Sequence, residues 1–112
     1  MSLQVPQHDN HLLFTVKPAG RPSVPDESGD ESQLEYAKEW VRVKYEKPGD
    51  VFLGVVHRLD RPVSGIVLFA RTSKAASRLT ASFRDRAVEK TYLGVVCRAP
   101  QQNEGTIEHY LR

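Results

Sequence analysis

The residues best suited to chemistry lie together in the segment VVHRLDRPVSG, residues 55 to 65. An apolar lead-in ends in a histidine, and the carboxylate of Asp60 then lies between the guanidinium groups of Arg58 and Arg61. Three interpretations of Asp60 are open. It is a turn residue that pairs with one of the arginines, one half of an acid–base pair whose nearest later carboxylate is Glu89, or a nucleophile toward an electrophilic carbon.

The charges beside Asp60 bear on which of these roles it can fill. Neighbouring positive charge favours an ionised carboxylate, which suits a nucleophile and is unsuitable for a general acid. Carboxylate nucleophiles recur where a glycosidic carbon is attacked. On physical grounds alone, however, the structural interpretation is favoured, because an aspartate beside arginines is usually part of a surface ion pair.

The other reactive residue types are scattered along the chain. Histidines at positions 8, 11, 57 and 109 and the single Cys97 do not have the spacing of metal ligands, and there is no phosphate-binding glycine loop. We therefore expect no metal and no cofactor. Cys97 cannot form an internal disulfide, and its apolar surroundings, YLGVVC, predict a buried and inert thiol.

The net charge of +2 is unevenly distributed over the 112 residues. Residues 1 to 50 hold six Lys/Arg against nine Asp/Glu, whereas residues 58 to 90 hold eight against three. A basic segment after an acidic one suggests a surface for a polyanion, although a solvated helix face would give the same pattern. No apolar run approaches the roughly 20 residues that span a bilayer, so we expect no membrane partner. Without a secretory signal and with one cysteine, the chain is expected to be cytoplasmic.

The first half of the chain predicts a strand, a loop and a helix. HLLFTVK, residues 11 to 17, alternates like a strand and runs into the turn KPAG, whose lysine is expected to be structural. The polar, acidic residues 21 to 31 predict a mobile surface loop. Ser32 and Glu35 have the spacing of a capping box, and apolar periodicity then predicts a helix over 33 to 45.

The second half predicts elements on both sides of the reactive segment: strands over 51 to 59 and 65 to 71, a helix over 73 to 86 and a strand over 89 to 97. We expect residues 1 to 8 to be flexible and the terminal GTIEHYLR to begin another element. The chain is therefore expected to be a single domain, residues 1 to 112, of the α+β class, with a mixed, largely antiparallel sheet flanked by helices.

The segment HRLDRPVSGIVLFAR closely resembles the signature of the RluA-type pseudouridine synthases, His-Arg-Leu-Asp followed by Ser-Gly and an apolar strand. DNHLLFTVKPAGRP is similar to the family's opening strand and Lys-Pro-x-Gly turn, and FRDRAVEKTYLGVV to its later helix, Lys-x-Tyr pair and strand. Order and spacing agree over residues 9 to 97. Val63 departs from the family, which usually has Thr there, and we expect the lost hydroxyl to tune the loop rather than abolish chemistry.

The resemblance implies a reaction and roles for three residues. Uridine in ribosomal or transfer RNA would be isomerised to pseudouridine, the base leaving C1′ and rejoining through C5. Asp60 would be the essential carboxylate, attacking either the sugar or the uracil ring. Tyr92 aligns with the active-site tyrosine, whose ring could stack on the uracil and whose hydroxyl could assist proton removal from C5. Arg58 would face the RNA and fill the gap left by the extruded base.

Structural alternatives exist for these roles, because Tyr92 also fits a core strand and Arg58 a salt bridge to Asp60. His57 is expected to be structural or to contact RNA. The remaining basic residues near the motif are expected to contact phosphates: Arg78, Arg84, Arg86 and Lys90.

The chain is also expected to be only the N-terminal part of a catalytic domain. Family domains are roughly twice this length or more, and a later segment resembling Leu-x-Thr-Gly-Arg-x-His-Gln-x-Arg is missing. An incomplete sheet would expose an edge, so we expect either a truncated chain or a fragment that forms a homodimer through that edge. Asp60 would then lack part of its surroundings, and isolated activity is expected to be weak or absent. A non-catalytic RNA-binding module and an inactive truncated fragment are the alternatives to an enzyme.

Overall fold

A computed structural model describes residues 3–106 of the chain and has an α+β architecture. Its strands are β1 (Gln4–His8), β2 (Leu12–Lys17), β3 (Gly54–Val55) and β4 (Gly65–Ala70), and its helices are α1 (Gln33–Lys44) and α2 (Ser73–Arg84). The strands form one sheet in the order β1-β2-β4-β3. The predicted α+β class is confirmed. Every strand pairing in residues 3–106 is antiparallel, so the sheet is not mixed in this part of the chain.

The centre of the sheet is the pairing of β2 with β4. Leu13 lies opposite Phe69, and Thr15 lies opposite Val67. These four side chains are fully buried. With residues from α1 and from the segment before β4, they form the core: Leu13, Ala37, Val41, Val51, Leu53, Leu59, Val67 and Phe69. One face of the sheet is therefore covered by α1, which leaves the other face for α2 and the site.

Helix α1 forms because its first turn is capped as the sequence predicts. The Ser32 hydroxyl accepts a hydrogen bond from the Glu35 N–H, and the Glu35 carboxylate accepts one from the Ser32 N–H. Gln33 then fixes the helix on β2, since its buried Nε2 donates to Thr15 Oγ1 at 2.9 Å and to the Val16 carbonyl at 3.1 Å. The capping box and the helix over 33 to 45 are confirmed.

Three predicted elements differ in the structure. Residues 4–8, expected to be flexible, form β1 because they pair with β2. The strand expected over 51 to 59 is reduced to Gly54–Val55. The strand expected over 89 to 97 is absent, because none of the described strands lies beside it, and an extended segment needs a partner for its backbone hydrogen bonds.

Two expectations concern the ends of the chain and the membrane. The element predicted from GTIEHYLR falls largely on residues 107–112, outside the described residues. Within residues 3–106, neither helix has the length and apolar character needed to cross a bilayer.

Candidate active site

Asp60 lies on an exposed turn between the buried Leu59 and strand β4. Its carbonyl accepts a hydrogen bond from the Val63 N–H at 2.9 Å, which closes the turn. Gly65 begins β4 with φ +151°, and a Cβ there would lie 3.3 Å from Leu59 Cδ1. The tight return of the chain at Gly65 therefore places Asp60 at the tip of the turn.

The Asp60 carboxylate makes no hydrogen bond or ion pair within the described part of the chain. The Arg61 guanidinium turns instead toward the loop of residues 20 to 30, where it contacts the Gly20 carbonyl at 2.8 Å, Asp26 Oδ2 at 3.3 Å, Ser28 Oγ at 3.0 Å and Asp30. The hydrogen bond to Asp30, followed by the charges of both aspartates, raises the pKa of Arg61. The interpretation of Asp60 as a structural turn residue is thus right about the turn. The ion pair that it expected between Asp60 and a neighbouring arginine does not form.

The two residues that flank Asp60 are both anchored to this same loop. The Ser23 hydroxyl, which is buried, accepts from the Leu59 N–H at 3.0 Å and donates to the Leu59 carbonyl at 2.6 Å. The Arg61 carbonyl accepts from the Gly20 N–H at 2.8 Å and from Lys17 Nζ at 3.0 Å. The loop expected to be a mobile surface segment therefore holds the Asp60 turn on both sides.

Lys17 is the buried centre of this anchor. Its ammonium donates to the carbonyls of Pro18 and Arg21 as well as to that of Arg61, at 3.1, 2.6 and 3.0 Å. Burial lowers its pKa, and the charges of Arg21 and Arg61 lower it further. Because all three donors of an ammonium are used in the protein, Lys17 is structural, as the KPAG turn predicts.

A cavity of about 570 Å³ lies beside the Asp60 turn, on the sheet face away from α1. Phe14 and Leu68 of the sheet and Phe83 of α2 form its apolar floor and wall. The turn contributes Leu59 and residues 63–65, and the segment 88–93 closes the other side. Asp60 and Arg58 do not line the cavity themselves. Asp60 directly follows the lining residue Leu59 in the sequence.

Tyr92 lines the cavity and is 60% exposed, so it is not the core aromatic of the structural alternative. Thr91 and Leu93 line the same cavity. Tyr92 and its two neighbours thus do not alternate between opposite faces as they would in the predicted strand over 89 to 97, because no strand forms here. Glu89 also lines the cavity, and no hydrogen bond joins it to Asp60.

Arg58 is exposed and has no ion pair with Asp60, so the salt bridge expected as its alternative role does not form. Arg78 and Arg84 lie exposed on α2, where Arg84 contacts Asp85 at 3.3 Å. Lys90 lies over the Phe83 ring at 5.4 Å. Cationic side chains are thus available near the cavity.

His57 takes a structural position inside the cavity wall. Its Nε2 accepts a hydrogen bond from the Leu68 N–H at 2.9 Å, and its ring stacks on Phe83 with centroids 5.0 Å apart. Burial lowers the pKa of His57, and the charge of Lys90 adds to this. An imidazole nitrogen that accepts a backbone N–H must be unprotonated, so His57 is neutral.

Cys97 is exposed, contrary to the expectation of a buried thiol. The expectation was wrong because it depended on the strand over 89 to 97. Within residues 3–106, no group of three or more His, Cys, Asp or Glu side chains is placed to hold a metal ion.

The sequence did not reveal the roles of Ser23 and Arg61. A serine in a polar loop has no distinctive signal, and its double hydrogen bond to Leu59 depends on tertiary structure. The contacts of Arg61 with Asp26 and Asp30 had one signal in the sequence. The acidic segment PDESGDE, residues 25 to 31, carries charges opposite to those of the arginine-rich motif.

Residues 11–112 match the sequence model of the family described as RNA pseudouridylate synthase. Among curated relatives, tRNA pseudouridine synthase C of Pasteurella multocida is 32% identical over 112 residues, which is 100% of this chain and 44% of the relative. Dual-specificity RNA pseudouridine synthase RluA of Haemophilus influenzae is 40% identical over 94 residues, 84% of this chain and 40% of the relative. The chain thus spans less than half the length of these relatives.

A solved structure supports the fold. Human RNA Pseudouridylate Synthase Domain Containing 4 superposes with a TM-score of 0.62 at 20% identity, covering 74% of this chain and 30% of that one. The likeness concerns the fold alone.

Proposed function

Because the chain belongs to the RNA pseudouridylate synthase family, we propose that it supplies the catalytic aspartate, Asp60, of an enzyme that isomerises uridine to pseudouridine in RNA. The observation that carries this proposal is the Asp60 carboxylate itself. It is exposed and without a partner in residues 3–106, on a turn anchored on both sides. A nucleophile needs this combination of a fixed position and a free acceptor.

The reaction places different demands on the residues around Asp60. Attack by its carboxylate, on C1′ of the ribose or on the uracil ring, forms a covalent bond and leads to cleavage of the glycosidic bond. The base then turns and its C5 bonds to C1′, the bond to the Asp60 carboxylate is broken, and the C5 proton is removed. The base must stay enclosed while it is detached, and the cavity of about 570 Å³ beside the turn is large enough for a pyrimidine. The ring of Tyr92 at the cavity wall would stack on that base.

The RNA itself would be held by cations outside the cavity. The exposed guanidinium of Arg58 would brace the strand where the target nucleotide is extruded. Arg78 and Lys74 on the exposed surface of α2 would contact phosphates. The affinity for RNA should therefore fall with added salt, whatever the RNA sequence. Relatives are named as a tRNA enzyme, as dual-specificity RNA enzymes and as a ribosomal large subunit enzyme. These names support ribosomal or transfer RNA as the proposed substrate, and a cytoplasmic location belongs to the same proposal.

Two copies of the chain would associate through the exposed sheet edge. The edge strand β3 has only two residues, and apolar side chains beside it and in the segment after α2 are exposed, among them Phe52, Val55, Leu93 and Val95. Burying such side chains between copies is favourable.

Substitution of the proposed nucleophile tests the function directly. Asp60→Asn keeps the size of the side chain and removes its charge, so pseudouridine formation should fall by more than about 1000-fold while RNA affinity is kept. The measurement is carbodiimide detection of pseudouridine in mixed rRNA and tRNA, in single-turnover reactions with protein in excess, so that slow turnover is detected. Asp50→Asn, which removes a charge from another exposed aspartate, is the matched control.

Two outcomes would count against this proposal. If Asp60→Asn and the wild type modify uridine equally, Asp60 is not the nucleophile. If the wild type binds RNA and modifies none of it, the chain is not an enzyme by itself, and it is either a non-catalytic RNA-binding module or an inactive fragment.

A further inference from the structure

The acidic loop around Asp26 and Asp30 binds the arginine that follows the catalytic carboxylate. Every polar contact of the Arg61 guanidinium is directed into this loop: to Gly20, Asp26, Ser28 and Asp30. The Arg61 side chain is 40% exposed, so it is not confined by burial and its direction is set by these hydrogen bonds.

Without the loop, the carboxylate nearest to Arg61 in the sequence would be that of Asp60. Neighbouring Arg and Asp residues form an ion pair elsewhere in this chain, where Arg84 Nε lies 3.3 Å from Asp85 Oδ1. Asp60 and Arg61 are also adjacent, in the reverse order, yet no ion pair joins them in the described residues. Arg61 differs from Arg84 in having two other carboxylates as partners.

We infer that Asp26 and Asp30 hold the Arg61 guanidinium away from Asp60, which makes Arg61 a positioning residue that leaves the catalytic carboxylate free. This inference rests on the proposed function, since freedom of the carboxylate matters only if Asp60 attacks the substrate. The backbone of Arg61 is fixed separately by Lys17 and Gly20. Loss of the two aspartates would therefore redirect the side chain while the turn remains in place.

A first experiment tests, without an activity assay, whether Asp26 and Asp30 hold the Arg61 guanidinium. In ¹⁵N-labelled 112-residue protein, the Arg61 Nε–H resonance reports the partners of the guanidinium. In the wild type, Asp60→Asn should leave this resonance unchanged. In the Asp26→Asn/Asp30→Asn background, the resonance should shift, and Asp60→Asn should then shift it again, because Asp60 has become the partner.

A second experiment measures the consequence for turnover. If a pair with Arg61 must be broken before Asp60 attacks, Asp26→Asn/Asp30→Asn should lower kcat about fivefold, the effect of a surface ion pair at its stronger limit. Adding Arg61→Gln removes the competing cation and should restore part of the lost kcat. A purely structural role predicts the opposite, a further loss when Arg61 is replaced.

The matched control is Glu27→Gln/Glu31→Gln, which removes two charges from the same loop without touching Arg61. Both double variants should lower KM for RNA alike, because each reduces repulsion of a polyanion, and only the aspartate pair should lower kcat.

The two experiments separate failure of this inference from failure of the proposed function. The Arg61 resonance could respond to Asp60→Asn as strongly in the wild type as in the Asp26→Asn/Asp30→Asn background. That result would overturn the inference that Asp26 and Asp30 hold the guanidinium away from Asp60. Absence of pseudouridine formation in the wild type overturns the proposed function, whereas the resonance test still decides where Arg61 is held.

Discussion

At the scale of single residues, the His57 side chain accepts a hydrogen bond that a neighbouring strand would otherwise accept at the edge of the sheet. Strand β3 ends at Val55, opposite Phe69. The next amide along β4, the Leu68 N–H, is then satisfied by His57 Nε2 at 2.9 Å instead of by a backbone carbonyl. The imidazole must be neutral to accept this hydrogen bond. The edge of the sheet next to the cavity therefore depends on the protonation state of one histidine.

The stability of the protein should depend on pH through His57. Its pKa is lowered in the folded state, by burial first and by Lys90 second, from an unfolded value near about 6.5. The stability contributed by the neutral ring is thus complete above that unfolded value and is lost as pH falls below it, because the unfolded state binds the proton more readily.

Urea denaturation between about pH 5 and 7.5 measures this dependence. His57→Gln should flatten it, since an amide oxygen can still accept the Leu68 N–H and does not titrate. An unchanged slope in His57→Gln would show that another group is responsible.

At the scale of elements, the packing of α2 on β3 depends on the absence of a side chain at Gly54. A Cβ at Gly54 would lie 2.7 Å from Ala76 Cβ and 3.4 Å from Ala70 Cβ. Both neighbours are short and attached to regular elements, so neither can rotate away. Gly54 is the point of contact that sets the distance between helix and sheet.

Gly54→Ala should destabilise the protein by about 1–3 kcal/mol, the usual cost of overpacking. Gly94→Ala is the matched control, because no atom lies within 4 Å of its Cβ position, and its effect should stay within about 0.5 kcal/mol. Urea denaturation of both variants gives the comparison. The double variant Gly54→Ala/Ala76→Gly should lose less free energy of unfolding than the sum of the losses in the two single variants. If Gly54→Ala and Gly94→Ala were equally stable, the close contact between Gly54 and Ala76 would be contradicted.

Elements with their own local signals could be predicted from sequence, and those that need a distant partner could not. Helix α1 carries its capping box, and β2 and β4 carry apolar runs that pair with each other. The segment 89–97 has equally strong β-forming residues, but no described strand lies beside it. Composition alone cannot report whether a strand has a partner.

The same distinction holds for the site. The turn at Asp60 was predictable from Pro62 and Gly65 of the segment VVHRLDRPVSG. The structure places Tyr92 in the cavity wall, and its role toward the uracil stays a prediction. The partner of Arg61 was not predictable, because nearest neighbours in sequence suggested Asp60 while the fold brings Asp26 and Asp30 to the guanidinium. Side-chain pairing across more than 30 residues requires the tertiary structure.

At the scale of the whole molecule, exposed apolar side chains are concentrated after α2. Leu93 and Val95 are fully exposed and Val96 is 68% exposed. A monomer would present this segment to water, so the mass measured by light scattering should rise with concentration from 12.6 kDa toward about twice that value. Leu93→Ser/Val95→Ser should reduce this association, and Gln101→Ser/Gln102→Ser, in an exposed polar stretch, should not. A constant 12.6 kDa in the wild type would rule out the homodimer.

The anchoring of the Asp60 turn has a consequence for the order in which the chain folds. The hydrogen bonds that fix it join residues 36, 41 and 44 positions apart, and α1 lies inside the loop that they close. Contacts over such separations pay a large loop-closure entropy and form after local structure. A folding intermediate can thus have its full helix content while Asp60 still lacks a defined position. The defined position of the Asp60 turn should be the last feature that the folding chain acquires.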